Sequence, residues 1–200
     1  MQFVVVGIGT DVGKTIISSI LVEKLKCAYW KPVQAGELDN SDSQKVARLA
    51  PSCKKIIPEI YRLNTPASPH VSAEMDGVTI QSKDFVLPDE SDLLIEGAGG
   101  LMVPLNKEGL LYVDIIQQWK LPVVLVSRHY LGSINHTLMS LEILKSREIP
   151  VMAVIFIGDD NLGTESILKS SYPDLTFARV PLTEKIDTIF IQQIADNIKL

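Results

Sequence analysis

Residues 3–15 read FVVVGIGTDVGKT, and this stretch decides the fold of the chain. The run Phe3–Val6 is apolar and rich in β-branched side chains, which predicts a buried strand. A glycine-rich turn follows, and the pattern from Ile16 to about Lys26 predicts an amphipathic helix. A strand, a glycine-rich turn and a helix in this order are the context of a phosphate-binding loop.

The turn itself supplies groups that bind phosphate. Its glycines let successive backbone N–H groups point inward, and the positive end of the following helix adds to the attraction. Lys14 would reach the terminal phosphates, and the Thr15 hydroxyl would hold a Mg²⁺ ion that bridges them. The spacing is irregular, because this chain has Ile8 where the usual pattern has its first glycine. An ordinary strand–turn–helix with a chance Lys-Thr pair is the alternative interpretation.

Composition and charge narrow the class of protein. A chain of 200 residues suits one domain over residues 1–200, and 46% hydrophobic with 22% charged residues is typical of a globular protein. The net charge of −5, with no basic run, argues against a nucleic-acid partner. No stretch approaches the ~20 apolar residues that span a membrane, and the start lacks a signal-peptide pattern. We therefore expect a cytoplasmic protein with no membrane partner.

The cysteines and histidines carry no metal or nucleophile motif. Cys27 and Cys53 form no Cys-x-x-Cys pair and the histidines are scattered, so neither a zinc site nor a disulfide framework is expected. We expect both thiols to be buried and inert. His70, His129 and His136 have no partners at catalytic spacing, and we interpret them as structural or surface residues.

Strand and helix patterns alternate along the rest of the chain. Strands are predicted near residues 27–30, 92–95, 122–126, 150–156 and 176–180, and helices near residues 40–51, 68–76, 112–119, 131–144, 165–170 and 186–198. Residues 52–91, with several prolines, are predicted to be less regular. Continuous apolar strands followed by helices predict an α/β, three-layer P-loop fold with a mostly parallel central sheet and helices on both faces. Ligands gather at the carboxyl ends of such strands.

Three charged residues near these strand ends are candidates for chemistry. Glu96 closes an apolar strand, and an acid there is costly to bury unless it is paired or bound to a metal. The Gly-Ala-Gly-Gly that follows removes side chains where a ligand could lie, which favours a functional acid over a solvent-facing one. Lys31 is equally compatible with a surface lysine before a turn proline. Asp42, taken alone, is more typical of a helix cap than of a metal ligand.

Several motifs occur in an order that resembles one family. They are the loop from Gly7, Trp30–Val33, Asn40–Asp42, Ser68–Glu74, Glu96–Leu101 and Leu131–His136. This set resembles the dethiobiotin synthetase family of biotin biosynthesis and extends from residue 3 to about residue 165. The resemblance implies that ATP drives closure of the ureido ring of dethiobiotin from 7,8-diaminopelargonic acid and CO₂ (or bicarbonate). The route runs through a carbamate and a carbamic-phosphoric anhydride, with Mg²⁺ bound. A homodimer with its substrate at the interface is also implied.

The resemblance further implies roles for individual residues. Catalytic roles fall to Lys14, Lys31 and Thr10, and metal binding to Thr15, Asp42 and Glu96. Nucleotide binding is assigned to Gly9, Thr10, Asp11, Val12, Gly13, Lys14, Thr15, Glu96, Gly97, Gly99 and Ile157. Substrate binding is assigned to Thr10, Lys31, Gln34 and Glu96, and to Gly132, Ser133 and Asn135 of the partner subunit.

The chain departs from the family pattern at two site positions. Gly9 stands where the family usually has an aspartate, and Ile157 stands where it usually has an asparagine that reads the adenine. The second difference leads to the hypothesis of a looser base selectivity.

Other classes with the same type of loop were compared with this sequence. A ParA- or MinD-like regulatory P-loop ATPase is the main alternative, but its signature lysine would stand at Gly9. A related amide-forming ligase would need a glutaminase domain. A small-molecule kinase would release a stable phosphorylated product and would not depend on CO₂.

Overall fold

The computed structural model describes residues 1–199, and a parallel sheet between helices forms its centre. Leu200, the last residue of the expected domain, lies outside the described residues. The strands are β1 Gln2–Gly7, β2 Ala28–Trp30, β3 Val33–Ala35, β4 Lys55–Ile57, β5 Tyr61–Leu63, β6 Leu93–Glu96, β7 Val123–Arg128, β8 Val151–Ile157 and β9 Thr176–Val180. The helices are α1 Lys14–Leu25, α2 Asp42–Leu49, α3 Pro69–Met75, α4 Tyr112–Trp119, α5 Ser133–Ser146, α6 Leu162–Ser171 and α7 Thr188–Asn197.

The order of the strands places the phosphate-binding loop at the middle of the sheet. The seven strands are ordered β4-β2-β6-β1-β7-β8-β9, and the pairs between them are parallel. Because parallel strands end at the same edge, the loops that follow β1, β2 and β6 meet there. The register pairs Val5 of β1 with Glu96 of β6. This arrangement confirms the predicted mostly parallel sheet.

Alternating side chains of the strands supply two cores, one on each face. Val4 and Val6 of β1 belong to a core that α4 and α5 cover. Phe3 and Val5 point to the opposite core, which α1, α2 and α7 cover. Burial of each such side chain contributes roughly 1.5–3 kcal/mol. Helices on both faces confirm the predicted three-layer α/β fold.

Three short strands were not predicted. Residues 52–91, which were predicted to be less regular, contain β4, which forms one edge of the main sheet, and β5. β5 pairs with β3 in a separate two-stranded parallel sheet. Each of these strands has three residues, which is too short to show the alternation that identifies a strand.

Capping side chains determine where two helices begin. Ser41 caps α2, because its hydroxyl accepts a hydrogen bond from the Gln44 N–H (3.3 Å) and Gln44 Oε1 accepts one from the Ser41 N–H (2.9 Å). The interpretation of Asp42 as the helix cap is therefore wrong, and its carboxylate is available for other contacts. Asn161 caps α6 by accepting a hydrogen bond from the Thr164 N–H, so this helix starts earlier than predicted.

Within residues 1–199, no helix is long and apolar enough to span a bilayer.

Candidate active site

The phosphate-binding loop joins the end of β1 to the start of α1. Asp11 and Gly13 adopt left-handed backbone conformations, with φ angles of 55° and 94°. The φ angle of Gly13 disfavours other residues, and a Cβ atom there would also collide with Cδ1 of Ile157 unless that side chain shifted. The Lys14 ammonium is buried and donates a hydrogen bond to the Gly9 carbonyl oxygen over 2.9 Å. This hydrogen bond holds the Lys14 ammonium beside the backbone of the loop.

Two neighbouring segments support this loop from either side. The Arg128 guanidinium, at the end of β7, donates a hydrogen bond to the Asp11 carbonyl oxygen over 3.2 Å. On the β6 side, a Cβ atom at Gly100 would lie 3.2 Å from the Cα atom of Gly9. Gly100 therefore lets the loop that follows β6 lie directly on the backbone of the phosphate-binding loop.

Glu96 contacts both the phosphate-binding loop and Lys31. It is the last residue of β6 and is fully buried. Its Oε1 atom accepts a hydrogen bond from the Thr15 hydroxyl over 2.9 Å and one from the Lys31 ammonium over 3.0 Å. The carboxylate is thus paired, as a buried acid must be, and the alternative of a solvent-facing Glu96 is wrong.

Lys31 lies between two carboxylates. Its Nζ atom is 2.5 Å from Asp42 Oδ2 and 3.0 Å from Glu96 Oε1, and its side chain is 6% exposed. This excludes the interpretation of Lys31 as a surface lysine. Burial on its own would lower the pKa of Lys31, but the charges of Glu96 and Asp42 outweigh it and raise that pKa. Burial likewise opposes ionisation of Asp42, yet Lys31 lowers the pKa of this carboxyl below its usual value.

Lys14 has the opposite electrostatic environment. Burial, and next the positive charge of Lys31, lower the pKa of Lys14 to about 8. A cation that is desolvated and repelled in this way gains most from a dianionic phosphate ligand. The two lysines therefore differ, since Lys31 is neutralised by protein carboxylates and Lys14 is not.

Two buried tyrosines that contact Glu96 were not identified from the sequence. The Tyr29 hydroxyl donates a hydrogen bond to Glu96 Oε2 over 3.0 Å, and the Tyr112 hydroxyl donates one to the Glu96 carbonyl oxygen over 3.3 Å. Strand alternation could have identified Tyr29, because residues two positions apart in a strand share a face, and Lys31 follows Tyr29 by two positions.

A cleft of about 740 Å³ opens in front of these groups. Of the predicted site residues, it is lined by Thr10, Asp11, Gly13, Lys14, Thr15, Lys31, Gln34, Asp42, Glu96 and Gly99. Gln34 accepts a hydrogen bond from the Asp42 N–H over 3.2 Å and donates one to the Gly36 carbonyl oxygen over 3.0 Å. Lys45, which was not predicted, lines the same cleft and lies 3.5 Å from Asp42 Oδ1.

Other predicted site residues lie outside the lining of this cleft, as far as the described residues go. Gly9, Val12 and Gly97 belong to the two loops that border it, and Ile157 packs behind Gly13. Gly132, Ser133 and Asn135 lie at the start of α5, after β7, and are also absent from the cleft lining.

The oxygen atoms in the cleft match the preferences of Mg²⁺. Thr15, Asp42 and Glu96 offer a hydroxyl and two carboxylates, all hard oxygen donors. Within residues 1–199, no cluster of three or more His, Cys, Asp and Glu side chains is suited to hold a metal ion by itself. Mg²⁺ is commonly held by one or two carboxylates together with substrate phosphates and water. The residues present therefore fit a magnesium ion that arrives with a nucleotide.

The cysteines and histidines lie apart from this cleft. Cys27 is buried, and burial raises the pKa of its thiol to about 11. Cys53 is only half-buried, so the expectation of a buried thiol is wrong there. His129 contacts Glu165 (3.3 Å), His136 contacts the Tyr130 hydroxyl (2.8 Å), and His70 lines a separate cavity of about 230 Å³.

Comparison with known proteins gives consistent matches. A family model described as an AAA domain matches residues 1–189. The ATP-dependent dethiobiotin synthetase BioD of Christiangramia forsetii is 46% identical over 200 residues, covering 99% of this chain and 96% of that protein. The enzyme of the same name from Afipia carboxidovorans is 51% identical over 170 residues, covering 84% of this chain and 80% of its own length.

The solved structures add evidence on the fold alone. A ParA family ATPase from Chlorobium tepidum superposes with a TM-score of 0.57 at 12% identity, over 98% of this chain and 97% of the other. A nucleotide-binding protein from Archaeoglobus fulgidus, solved in complex with ADP, gives a TM-score of 0.53 at 12% identity, over 97% and 86% of the two chains.

Proposed function

The chain belongs to the dethiobiotin synthetase family and is thus an ATP-dependent cyclo-ligase of biotin biosynthesis, and we propose that it converts 7,8-diaminopelargonic acid and CO₂ into dethiobiotin. The observation that carries this proposal is the convergence of Thr15 and Lys31 on buried Glu96. This convergence places the Lys31 ammonium beside the phosphate-binding loop, at the wall of one cleft.

Three changes of bonding account for the reaction. First, one amine nitrogen of the substrate bonds to the carbon of CO₂ and loses a proton, which gives a carbamate. Next, a carbamate oxygen bonds to the γ-phosphorus of ATP while the bond from that phosphorus to ADP breaks. Finally, the second amine nitrogen bonds to the carbonyl carbon and loses a proton, and phosphate leaves. No side-chain nucleophile is required by this sequence of steps.

The protein lowers the barrier mainly by electrostatics. A dianionic phosphoryl group that approaches an anionic carbamate is repelled, and preorganised cations reduce this repulsion. Lys14 would act on the transferring phosphoryl group, since its own charge lacks a neutralising carboxylate and gains most from phosphate. Lys31 would act on the carbamate. Thr10, which lies in the same loop as Lys14, would orient the γ-phosphate and the carbamate.

Thr15, Asp42 and Glu96 would hold the magnesium ion, for which their oxygen atoms are suited. When bound, the ion would offset negative charge on the phosphates of ATP. The backbone N–H groups of residues 9–15 would bind the phosphates beside it. Gly97 and Gly99 would let the nucleotide lie close to the chain that follows β6.

We further propose that the active form is a homodimer in which the substrate carboxylate binds the start of α5 in the partner subunit. Gly132, Ser133 and Asn135 stand at that helix start but do not line the cleft of their own chain. Free N–H groups at a helix N-terminus favour a carboxylate. The adjacent Leu131 side chain is fully exposed, and Met139 on the same helix is 53% exposed, which supports an apolar contact surface here.

A single assay tests the proposed function. The protein is mixed with 7,8-diaminopelargonic acid, ¹³C-bicarbonate, ATP and Mg²⁺, and dethiobiotin is measured by mass spectrometry. We expect dethiobiotin that carries the isotope, with one ADP released for each product molecule. ATP hydrolysis at a rate indifferent to the diamine would contradict the proposal and would favour a regulatory ATPase. A stable phosphorylated product formed without bicarbonate would indicate a kinase.

A further inference from the structure

The two carboxylate oxygens of Glu96 have different surroundings. Oε1 accepts hydrogen bonds from Thr15 and Lys31, and both of these residues line the cleft. Oε2 accepts a hydrogen bond from the hydroxyl of Tyr29 over 3.0 Å, on the buried side of the carboxylate. Tyr29 is fully buried in β2 and is not part of the cleft lining. One oxygen therefore faces the ligand space and the other faces the core.

The hydroxyl of Tyr29 is a permanent donor to its oxygen. An ordinary phenol, with a pKa of about 10, is protonated at neutral pH. The hydroxyl thus stays protonated, and its single proton points to the acceptor that lies at hydrogen-bonding distance. A carboxylate held by such a bond in a buried site does not rotate freely, because rotation would leave a buried polar atom without a partner.

We propose that Tyr29 is a positioning residue that restricts Glu96 to metal binding through Oε1 alone and so favours Mg²⁺ over Ca²⁺. This inference rests on the proposed role of Glu96 as a metal ligand. Mg²⁺ demands near-ideal octahedral geometry at short distances, whereas Ca²⁺ accepts more ligands, longer distances and carboxylates that bind through both oxygens. A carboxylate with one oxygen reserved for a phenol serves the first ion better than the second.

Tyr112 offers a matched control within the same site. It is also fully buried, and its hydroxyl also donates to Glu96, but to the backbone carbonyl oxygen (3.3 Å) and not to the carboxylate. Replacing either tyrosine with phenylalanine removes one buried hydroxyl. Only Tyr29→Phe should free a carboxylate oxygen. A difference between the two variants therefore reports on the carboxylate and not on a general loss of packing.

The test measures how strongly each metal ion improves the binding of ADP. Isothermal titration calorimetry gives the Kd of ADP with EDTA, with Mg²⁺ and with Ca²⁺, for the full-length protein and its variants. In the wild type, we expect Mg²⁺ to improve ADP binding more than Ca²⁺ does. In Tyr29→Phe, we expect the ratio of the two effects to fall about tenfold, which is the scale of one hydrogen bond to a charged group. In Tyr112→Phe, the ratio should stay at the wild-type value.

Three results would overturn the inference. They are an unchanged ratio in Tyr29→Phe, an equal change in Tyr112→Phe, and a Glu96→Gln variant that keeps the full metal effect. The last result would also remove Glu96 from the proposed metal site. Dethiobiotin formation by the wild type, measured in parallel, separates such a failure from a failure of the proposed reaction. Circular dichroism of each variant shows that the fold is retained.

Discussion

The ammonium nitrogen of Lys31 lies 3.0 Å from Oε1 of Glu96, and both side chains are buried. Replacing Lys31 with methionine keeps most of the volume and removes the charge, which leaves buried Glu96 without its cation, next to Asp42, whose side chain is 19% exposed. We expect turnover to fall by at least about 10²–10³, the effect of losing one preorganised electrostatic contact. We also expect a loss of about 3–5 kcal/mol of stability, since a buried pair is broken from one side. Initial rates of dethiobiotin formation and urea denaturation measure the two effects.

Lys45→Met is the control for this prediction. Lys45 also pairs with Asp42, at 3.5 Å, but its side chain is 28% exposed and has a second partner in Glu37. Its loss should cost no more than about 1 kcal/mol. Retention of wild-type turnover in Lys31→Met would remove that lysine from the reaction.

Nucleotide selectivity should reflect Ile157. A site that reads a base by hydrogen bonds can reject an analogue by about 10⁴–10⁵, whereas an apolar contact gives about 10² or less. We therefore expect kcat/KM for ATP, CTP and GTP to agree within about 10² in the wild type. Ile157→Asn should increase the preference for ATP. A strong ATP preference in the wild type, measured by ADP, CDP or GDP release in the complete reaction, would show that the base is read elsewhere.

A shared active site predicts complementation between inactive variants. Lys14→Ala should lose phosphoryl transfer, and Asn135→Asp should repel the substrate carboxylate from the start of α5. If each site uses Lys14 from one subunit and Asn135 from the other, a mixed dimer contains one site with both native residues. Mixing the two inactive proteins under conditions of subunit exchange should restore activity. Absence of recovery, with mixed dimers demonstrated by native mass spectrometry, would place Asn135 outside the shared site.

Acid stability should depend on Glu165, which does not line the cleft. This buried carboxylate accepts hydrogen bonds from Arg179 (2.8 Å) and Lys169 (3.1 Å). Burial would raise the pKa of Glu165, but these bonds outweigh it and lower that pKa below its ordinary value. A depressed pKa contributes stability above the unfolded-state value of about 4.3, and the contribution is lost as the pH falls through the folded-state value.

Glu165→Gln should accordingly be less stable than the wild type at neutral pH, with a difference that shrinks at acidic pH. Urea denaturation across this range measures the difference in the free energy of unfolding. Ser166→Ala, an exposed neighbour on the same helix, serves as a control that should show no such pH dependence. A difference that widens in acid would contradict the assigned pairing.

The sequence identified the residues of the phosphate-binding loop and Glu96 from strong local signals, whereas Lys31 and Asp42 depended on the family resemblance. A glycine turn between a strand and a helix, and an acid that closes an apolar strand, constrain the backbone whatever the rest of the chain does. Parallel pairing then brings Thr15, Lys31 and Glu96 to one edge of the sheet. The fold class was predictable for the same reason, since alternating strands and helices allow few arrangements.

Contacts that depend on strand order were not predictable. Tyr29 meets Glu96 because β2 pairs with β6, and the alternation that places Tyr29 on the same face as Lys31 does not identify this neighbouring strand. The buried face of α5 is a similar case. The helical spacing of Ile134, Leu138, Leu141 and Leu144 predicts one apolar face. Leu141 and Leu144 are indeed buried, but Ser133 and Thr137 are the buried residues at the start of the helix. Thr137 lies 2.8 Å from the Ser127 hydroxyl of β7, so a polar pair replaces an apolar contact.

The close packing of Ile157 against Gly13 means that substitutions at these two positions constrain each other during evolution. The space for a side chain at residue 13 is already filled by Cδ1 of Ile157, and the φ angle of 94° disfavours any other residue there. Position 157 is then free to change only within the volume that the loop tolerates, because a larger residue would displace the phosphate-binding backbone. Mutations at these two sites should therefore be epistatic, although the two residues lie far apart in the sequence.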